Sequence, residues 1–170
     1  VDKSQGVGIS YQTVNYGVVT GALIGEYQIK NTNTVLCAIR ELGITDVEAV
    51  KKGFLNVVQL TGLMGRWQIL CNQPLIVCDT GHNVGGWKYL SKQIIHQECH
   101  QKHIVFGMVD DKDIDSVMEL LPKDAIYYWS QATTHRAIPS QVVAQKGLAH
   151  GLVGRVYDSV ESAYMAALAI

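Results

Sequence analysis

The second half of this sequence alternates short apolar runs with segments of helical periodicity. Strands are predicted over 75–79, 103–108, 125–130 and 154–158, and helices over 84–98 and 113–121, from Pro139, and after Asp158. Asp158 and Glu161 resemble a capping pair before the last of these helices. Strands that alternate with helices are joined by crossovers, which require a parallel sheet. The sequence therefore predicts an α/β fold, with a mostly parallel sheet covered by helices on both faces. The run "LIVCD" is as apolar as a central parallel strand.

The first third of the chain follows a different plan. The β-branched and aromatic residues of 7–16 indicate a strand, and the glycine-punctuated 17–25 a turn or a short second strand. From Asn31 the apolar spacing changes to that of a helix, and Gly43 supplies its stop. The apolar face of this helix comprises Val35, Leu36, Ile39 and Leu42.

A second helix and a domain boundary follow. Thr45 and Glu48 have the spacing of a capping box, which predicts a helix start. Its apolar stripe comprises Val47, Val50, Phe54 and Val57 or Val58. The glycines of 59–66 interrupt the helical pattern, so we place a domain boundary near Gly62–Gly65. Residues 1–62 and 63–170 are accordingly predicted to belong to two domains.

Composition limits the class of protein. The 170 residues are 48% hydrophobic, which is typical of a globular chain with a core, and the formal net charge is −1. This charge gives no bulk attraction to nucleic acid or to an anionic membrane, and we expect neither as a partner. The four cysteines form no C-x-x-C pair and are spread over apolar segments. We therefore expect buried, reduced thiols and a cytoplasmic protein.

The stretch "CDTGHNVGG" (78–86) joins the first predicted strand of the α/β part to a helix. Ligands of open α/β sheets bind outside the carboxyl ends of the strands, where Asp79 is placed. His82 and Asn83 follow near the helix N-terminus, whose free N–H groups attract anions. The pattern fits a nucleotide or carboxylate site. It fits equally a helix cap at Asp79 beside an ordinary polar histidine, and spacing alone leaves both interpretations open.

A second candidate is Arg66 in "GRWQ", which follows the glycine-rich hinge. Arginine suits phosphate because its planar guanidinium donates two parallel hydrogen bonds. From this position Arg66 can reach the crevice that Asp79 faces. The alternative is a solvated linker charge.

Four motifs in order resemble the Mur ligase superfamily, and most closely its folylpolyglutamate synthase branch. The hinge and strand–helix unit "GRWQIL…NQPLIVCDTGHNVGGWKYL" resembles the start of that family's C-terminal domain. Upstream, "LIGEYQIKNTNTVLCAI" is similar to the segment that closes its central ATPase domain. Downstream, "FGMVDDKDI" and "THRAIPS" also match. The resemblance implies a Rossmann-like C-terminal domain over 63–170, lacking its last strand, preceded by the tail of the ATPase domain over 1–62.

The resemblance also implies a chemistry. The family phosphorylates a folate carboxylate with ATP and couples the acyl phosphate to the amine of L-glutamate. By resemblance Asn31 contacts the ATP base or sugar, Arg66 reaches the phosphates, and Asp79 holds the ribose or orients Arg66. By resemblance His82 is the expected catalytic residue, and both His82 and Asn83 face the incoming glutamate or the phosphates. Arg136, in "THRAIPS", is the expected ligand of a glutamate carboxylate.

Two departures from the family pattern affect these expectations. Thr80 and Gly81 stand where many relatives have glycine and alanine, but the acid, histidine and asparagine keep their spacing. The sequence contains no G-x-x-x-x-G-K-[ST] motif, so the phosphate cradle is missing. We therefore expect an upstream P-loop domain of the same polypeptide to supply it, together with the Mg²⁺ ligands and most of the folate site. Alone, the chain is predicted to be inactive; full length, we expect a monomer.

Weaker signals have simpler interpretations. "HQECHQKH" brings together His96, Cys99, His100 and His103. These types can bind zinc, but a solvated helix end is favoured, and we predict no metal site in this chain. In "DDKD", Lys112 could meet an anion, but Asp113 as a helix cap is favoured.

Other functions stay open on the sequence. A cell-wall precursor ligase of the Mur type is the near alternative, and the "GEYQ" segment with its short hinge favours the folate branch. A non-catalytic nucleotide-binding or interaction domain is the alternative of a different class. Whether dihydropteroate is also a substrate is not readable from these residues.

Overall fold

The computed structural model describes residues 8–170, and Val7, the first residue of the predicted strand 7–16, lies outside them. The chain divides into two compact units, Val1–Gly81 and His82–Ile170. The division falls after Gly81, whereas the sequence predicts a domain boundary near Gly62–Gly65. The assignment of 63–81 to the second domain therefore stays a prediction.

The first unit begins with a hairpin and three helices. Strands β1 (Ile9–Thr13) and β2 (Gly17–Gly21) pair antiparallel, and the second of them confirms the short second strand that was one of two predictions for 17–25. The helices are α1 (Gln28–Glu41), α2 (Val47–Leu55) and α3 (Val57–Thr61). Helix α3 ends at Gly62, which takes the left-handed conformation that glycine tolerates best. Helix α1 begins three residues before the predicted Asn31.

The core of this unit lies between the hairpin and the helices. Tyr16, Val19 and Val50 are buried, and the partly buried side chains packed on them are Leu36, Ile39, Val47 and Phe54. Half of the predicted face of α1 is wrong, because Val35 and Leu42 are 45% and 75% exposed. The helix turns Gln28 and Thr32 inward in their place.

The predicted cap of α2 is also wrong. Asp46, not Thr45, precedes the first turn, and its carboxylate accepts a hydrogen bond from the amide of Ala49 at 3.0 Å. A cap must lie immediately before the first helical residue, with an oxygen facing the third amide. Thr45 precedes that position by one residue.

A second hairpin closes the first unit. Strand β3 (Gln68–Asn72), which the sequence analysis missed, pairs antiparallel with β4 (Leu75–Cys78) across a turn at Gln73–Pro74. The prediction that "LIVCD" is a central parallel strand is therefore wrong. An apolar run is compatible with either pairing, and the short turn selects the antiparallel one.

The second unit is the α/β part. Its elements are α4 (Val84–Ile95), β5 (Lys102–Phe106), α5 (Ile114–Met118), β6 (Ala125–Trp129), α6 (Ser140–Ala149), β7 (Gly154–Val156) and α7 (Val160–Leu168). The three strands form a parallel sheet in the order β5–β6–β7. Helix α6 packs on β6 and β7, and α7 packs on β5 and β6. The predicted α/β fold with a parallel sheet is confirmed.

Aromatic side chains fill the core of this unit. Tyr127 and Trp129 are at most 1% exposed and stack with ring centroids 4.7 Å apart. Phe106 meets the Trp129 ring edge-on at 6.0 Å. On α6, Gly147 lies so close to this tryptophan that a Cβ there would stand 2.5 Å from Cζ2. The glycine thus permits the close approach of α6 to the sheet.

Helix ends in this unit agree only partly with the sequence. Asp113 caps α5 as predicted, accepting from the Ser116 amide at 3.1 Å. Before α7 the cap is Ser159, which forms a capping box with Ser162, so the predicted pair Asp158 and Glu161 is wrong. Helix α4 ends at Ile95, earlier than predicted, and α6 begins at Ser140, just after Pro139. In residues 8–170 no helix has the length and apolarity needed to cross a membrane.

Candidate functional site

The carboxylate of Asp79, immediately after β4, accepts hydrogen bonds at both of its oxygens. Oδ2 accepts from the Trp67 amide at 2.6 Å and from the Tyr27 hydroxyl at 2.7 Å. Oδ1 accepts from the Gly81 amide at 2.8 Å. One side chain therefore joins the strand end, the hinge and the segment that leads into α1. One interpretation left open by the sequence was that Asp79 caps α4. The cap is instead Asn83.

The hinge 65–67 is held by backbone geometry as well. Gly65 and Trp67 both have positive φ, at 70° and 52°, and Trp67 is only 7% exposed. Positive φ is uncommon for a bulky residue, and it persists only where the surroundings fix it. The carbonyl of Gly65 accepts from the Thr80 amide at 2.9 Å, which ties the hinge to the end of β4.

Arg66 extends from this fixed backbone. Its Nη1 donates to the carbonyl of Gly65 at 3.1 Å and, through a short hydrogen bond, to the hydroxyl of Thr80. The residue is half-buried. The arginine and the acid that the sequence singled out thus lie on the two sides of one hydrogen-bonded junction, with Thr80 as the direct partner of the guanidinium.

Tyr27 is the residue of this junction that sequence reasoning missed. It immediately precedes α1, and the buried Gly25 gives its ring room, since a Cβ there would stand 2.8 Å from Cε1. Burial, followed by the Asp79 carboxylate, raises the pKa of the Tyr27 hydroxyl well above its ordinary value. The phenol therefore stays protonated and donates. The "GEYQ" segment was the available signal, but it carried only the family resemblance.

Asn31 lies in the first turn of α1, four residues after Tyr27. It is exposed, and its Nδ2 donates to Oε1 of the buried Gln28 at 3.1 Å. The side chain is thus oriented by its own helix. Asn31, Arg66 and Asp79 all belong to the first unit, and the Tyr27 hydrogen bond ties the start of α1 to Asp79.

His82 and Asn83 begin the second unit, and both are exposed. Asn83 caps α4: its Oδ1 accepts from the amide of Gly86 at 2.8 Å.

Arg136 lies in the loop after β6. Its carbonyl accepts from the Asp110 amide at 2.9 Å, and its Nη1 is 3.6 Å from Oδ2 of Asp111. Lys112 is 2.9 Å from the same oxygen, and its hydrogen bond is the main cause that lowers the pKa of the Asp111 carboxyl. The loops after β5 and β6 are thus tied together, with two cations on one exposed carboxylate.

The histidine-rich segment does not form a metal centre in the described residues, where no group of three or more potential ligands is placed to hold an ion. Nδ1 of His96 lies 2.7 Å from the carbonyl of Lys92, at the end of α4. Farther along, Nδ1 of His103 lies 2.9 Å from the Tyr128 hydroxyl.

The hinge at Arg66 and the strand end at Asp79 both lie within a stretch that a family model matches. The profile of the Mur ligase glutamate ligase domain covers residues 65–170, more than half of the chain. The chain belongs to the Mur ligase family. Tyr27 lies upstream of the part that this Mur ligase profile covers.

Individual relatives of this chain also belong to the folate-ligase branch by name. A dihydrofolate synthase/folylpolyglutamate synthase of Escherichia coli is 30% identical over 141 residues, covering 82% of this chain and 32% of that protein. The folylpolyglutamate synthase of Mycobacterium tuberculosis, complexed with ADP and AMPPCP, has a TM-score of 0.79 at 21% identity, over 96% of this chain and 40% of that one. This second likeness shows the fold.

A third relative is a bifunctional folylpolyglutamate synthase/dihydrofolate synthase with Mn, AMPPNP and L-glutamate bound. It has a TM-score of 0.56 at 26% identity, over 72% of this chain and 28% of that one. The chain spans about a quarter to a third of the length of the first curated relatives that it matches.

Proposed function

We propose that this chain is the C-terminal part of an ATP-dependent ligase that adds L-glutamate to a folate, with formation of ADP and phosphate. The names of its relatives and the description of its family support this class. The observation that carries the proposal is the junction at Asp79, which fixes the backbone on both sides of Arg66. Phosphoryl transfer depends chiefly on such prepositioned charge, because the protein contributes little covalent chemistry.

In the first step a folate carboxylate attacks the γ-phosphorus of ATP, ADP leaves, and an acyl phosphate forms. Arg66 would donate to the phosphate oxygens, exchanging the Thr80 hydroxyl for a charged acceptor. Asp79 would act through the hinge, by holding the Trp67 amide. Asn31, exposed at the start of α1, would contact the base or sugar.

In the second step the amine of glutamate attacks the acyl carbon, and phosphate leaves. We assign to His82, in its neutral form, acceptance of a proton from the attacking amine, which makes it the catalytic residue of this chain. Asn83 would bind through Nδ2. Arg136 would bind a glutamate carboxylate, which would replace Asp111 as its partner.

ATP is used by such enzymes with a divalent cation, which we expect to be Mg²⁺. The described residues offer no cluster of acids for such an ion. The cation's ligands and the P-loop would come from an upstream domain of the same polypeptide. The four cysteines of the structure are free thiols, but the prediction that they are buried is wrong: Cys37 and Cys99 are exposed, and Cys71 and Cys78 are partly buried. Free thiols suit the cytoplasm, which we propose as the location.

The test uses the complete parent polypeptide. Phosphate release from MgATP is measured with glutamate and, in turn, tetrahydrofolate, dihydropteroate or a cell-wall precursor. We expect release that requires glutamate and a pterin, and a fall of at least about tenfold, or 1.4 kcal/mol, in Arg66→Ala and Asp79→Ala. The 170-residue chain alone should show no turnover.

Arg40→Ala is the matched control, because Arg40 is an exposed arginine of the same unit whose guanidinium pairs with its neighbour Glu41. It should leave turnover unchanged. Activity only with the cell-wall precursor would move the protein to that branch of the family. No activity with any acceptor would overturn the ligase proposal in favour of a binding domain.

A further inference from the structure

The hydrogen bond between Tyr27 and Asp79 joins parts of the chain that are 52 positions apart. Tyr27 precedes α1, outside the region that the family profile matches, whereas Asp79 lies inside it. Both residues belong to the first compact unit. A side chain from outside the matched region therefore contributes directly to the junction that carries Arg66.

The atoms involved make this contact directional. Oδ2 of Asp79 accepts from both the Tyr27 hydroxyl and the Trp67 amide, at 2.7 and 2.6 Å. The two donors together select one orientation of the carboxylate, which leaves Oδ1 for the Gly81 amide at 2.8 Å. Without the phenol the carboxylate keeps the Trp67 and Gly81 amides as donors and loses the hydroxyl that reaches it from the α1 side.

The hinge needs such fixing. Trp67 holds a left-handed backbone, which is uncommon for a bulky residue and requires anchoring by its surroundings. Its anchor is the Asp79 carboxylate, and Arg66 directly precedes it. A shift of Trp67 therefore moves the backbone from which the guanidinium extends. In enzymes, displacing a catalytic group by about 1 Å can lower the reaction rate roughly a hundredfold.

We propose that Tyr27 is a positioning residue of the nucleotide site, acting through Asp79 and the Trp67 amide on the direction of Arg66. The inference rests on the proposed function only in taking a nucleotide phosphate as the ligand of Arg66. Tyr27 itself touches neither substrate nor reacting atoms. Its contribution is to hold a protonated donor against the carboxylate, and burial, followed by Asp79, keeps its pKa raised.

The experiment measures the Kd of MgAMPPNP by calorimetry in the full-length parent, beside kcat and the KM values for ATP and glutamate. The variants are Tyr27→Phe, Arg66→Ala and the double variant. We expect about tenfold weaker nucleotide binding in Tyr27→Phe, the usual scale of a hydrogen bond to a charged group. The KM for ATP should rise while the KM for glutamate holds, a split that general destabilisation would not produce.

The double variant decides the route. If Tyr27 acts through Arg66, the double variant binds AMPPNP no more weakly than Arg66→Ala. Additive losses would overturn the inference. Tyr11→Phe is the matched control: this buried hydroxyl of the same unit has no hydrogen-bond partner in the described part of the chain. It should bind AMPPNP like the unmodified protein.

The two proposals fail separately. A parent that ligates glutamate, with Tyr27→Phe binding AMPPNP normally, would overturn the role of Tyr27 and leave the ligase standing. A parent that binds AMPPNP through Tyr27 and Arg66 but ligates nothing would overturn the ligase alone. A parent that binds no AMPPNP would overturn both.

Discussion

The amide nitrogen of Trp67 lies 2.6 Å from the carboxylate of Asp79, although the tryptophan has a φ of 52° that bulky residues rarely adopt. The contact spans 12 positions and ties the hinge to the end of β4. It gives the acid at the end of this strand a partner other than α4, whose cap was one of the two interpretations that the sequence left open.

Asp79→Ala should therefore destabilise the first unit. Three donors lose their acceptor, and we expect the free energy of unfolding to fall by roughly 2–3 kcal/mol. Hydrogen exchange of the Trp67 amide measures the effect locally. Asp79→Asn is the control, since it keeps one acceptor oxygen and the shape, and should lose about half as much. Unchanged protection of the Trp67 amide in Asp79→Ala would contradict the assignment.

At the start of α2, the cap predicted from the sequence, Thr45, can be compared directly with the cap in the structure, Asp46. Asp46→Ala removes the oxygen that accepts from Ala49 and should cost about 1 kcal/mol of unfolding free energy. Thr45→Ala removes only the residue before the cap and should change stability by less than about 0.5 kcal/mol. Urea unfolding of the two variants compares them, and the reverse order would restore the predicted cap at Thr45.

Two helical glycines should respond to alanine with opposite signs. Gly147→Ala sets a methyl group 2.5 Å from the Trp129 ring, and overpacking of this kind costs about 1–3 kcal/mol. Gly53→Ala meets nothing within 4 Å in α2 and should raise stability by about 0.5–1 kcal/mol. Thermal unfolding of both variants is the measurement. Equal changes in the melting temperature of the two variants would mean that α6 does not approach Trp129 as closely as the structure shows.

Tyr127 predicts an alkaline limit to stability. Burial, followed by the charge of Asp124, raises the pKa of its hydroxyl, which donates to the carbonyl of Pro122 at 2.5 Å. The unfolded chain releases this proton near pH 10, while the folded chain retains it. The stabilisation is therefore complete below pH 10 and is lost above it, by about 1.4 kcal/mol per pH unit.

Unfolding by urea at pH 9 and pH 11 tests this expectation. Tyr127→Phe should be less stable than the unmodified chain at pH 9, because the Pro122 carbonyl loses its donor, but its stability should fall less between the two pH values. An identical fall in both proteins would show that Tyr127 does not retain its proton.

Local sequence patterns were sufficient to predict the features that depend on neighbouring residues. The three strands of the parallel sheet, the helices between them, and Asp113 as a cap were all predicted, because periodicity and capping act over a few neighbouring residues. The glycine–arginine step and the acid after "LIVC" were also found from the chain alone. The caps at Asp46 and Ser159 were each missed by a single position, which is the usual uncertainty of a helix end.

The sequence by itself determined the class of fold, the family, and the residue types that meet at the candidate site. Only the tertiary structure decided that "LIVC" pairs antiparallel with β3, since an apolar run suits any strand whose partner is not yet known. The hydrogen bond from Tyr27 to Asp79 was likewise visible only in the tertiary structure. That contact depends on how the chain between the two residues folds back. A long-range contact of this kind produces no local pattern in the sequence around either residue.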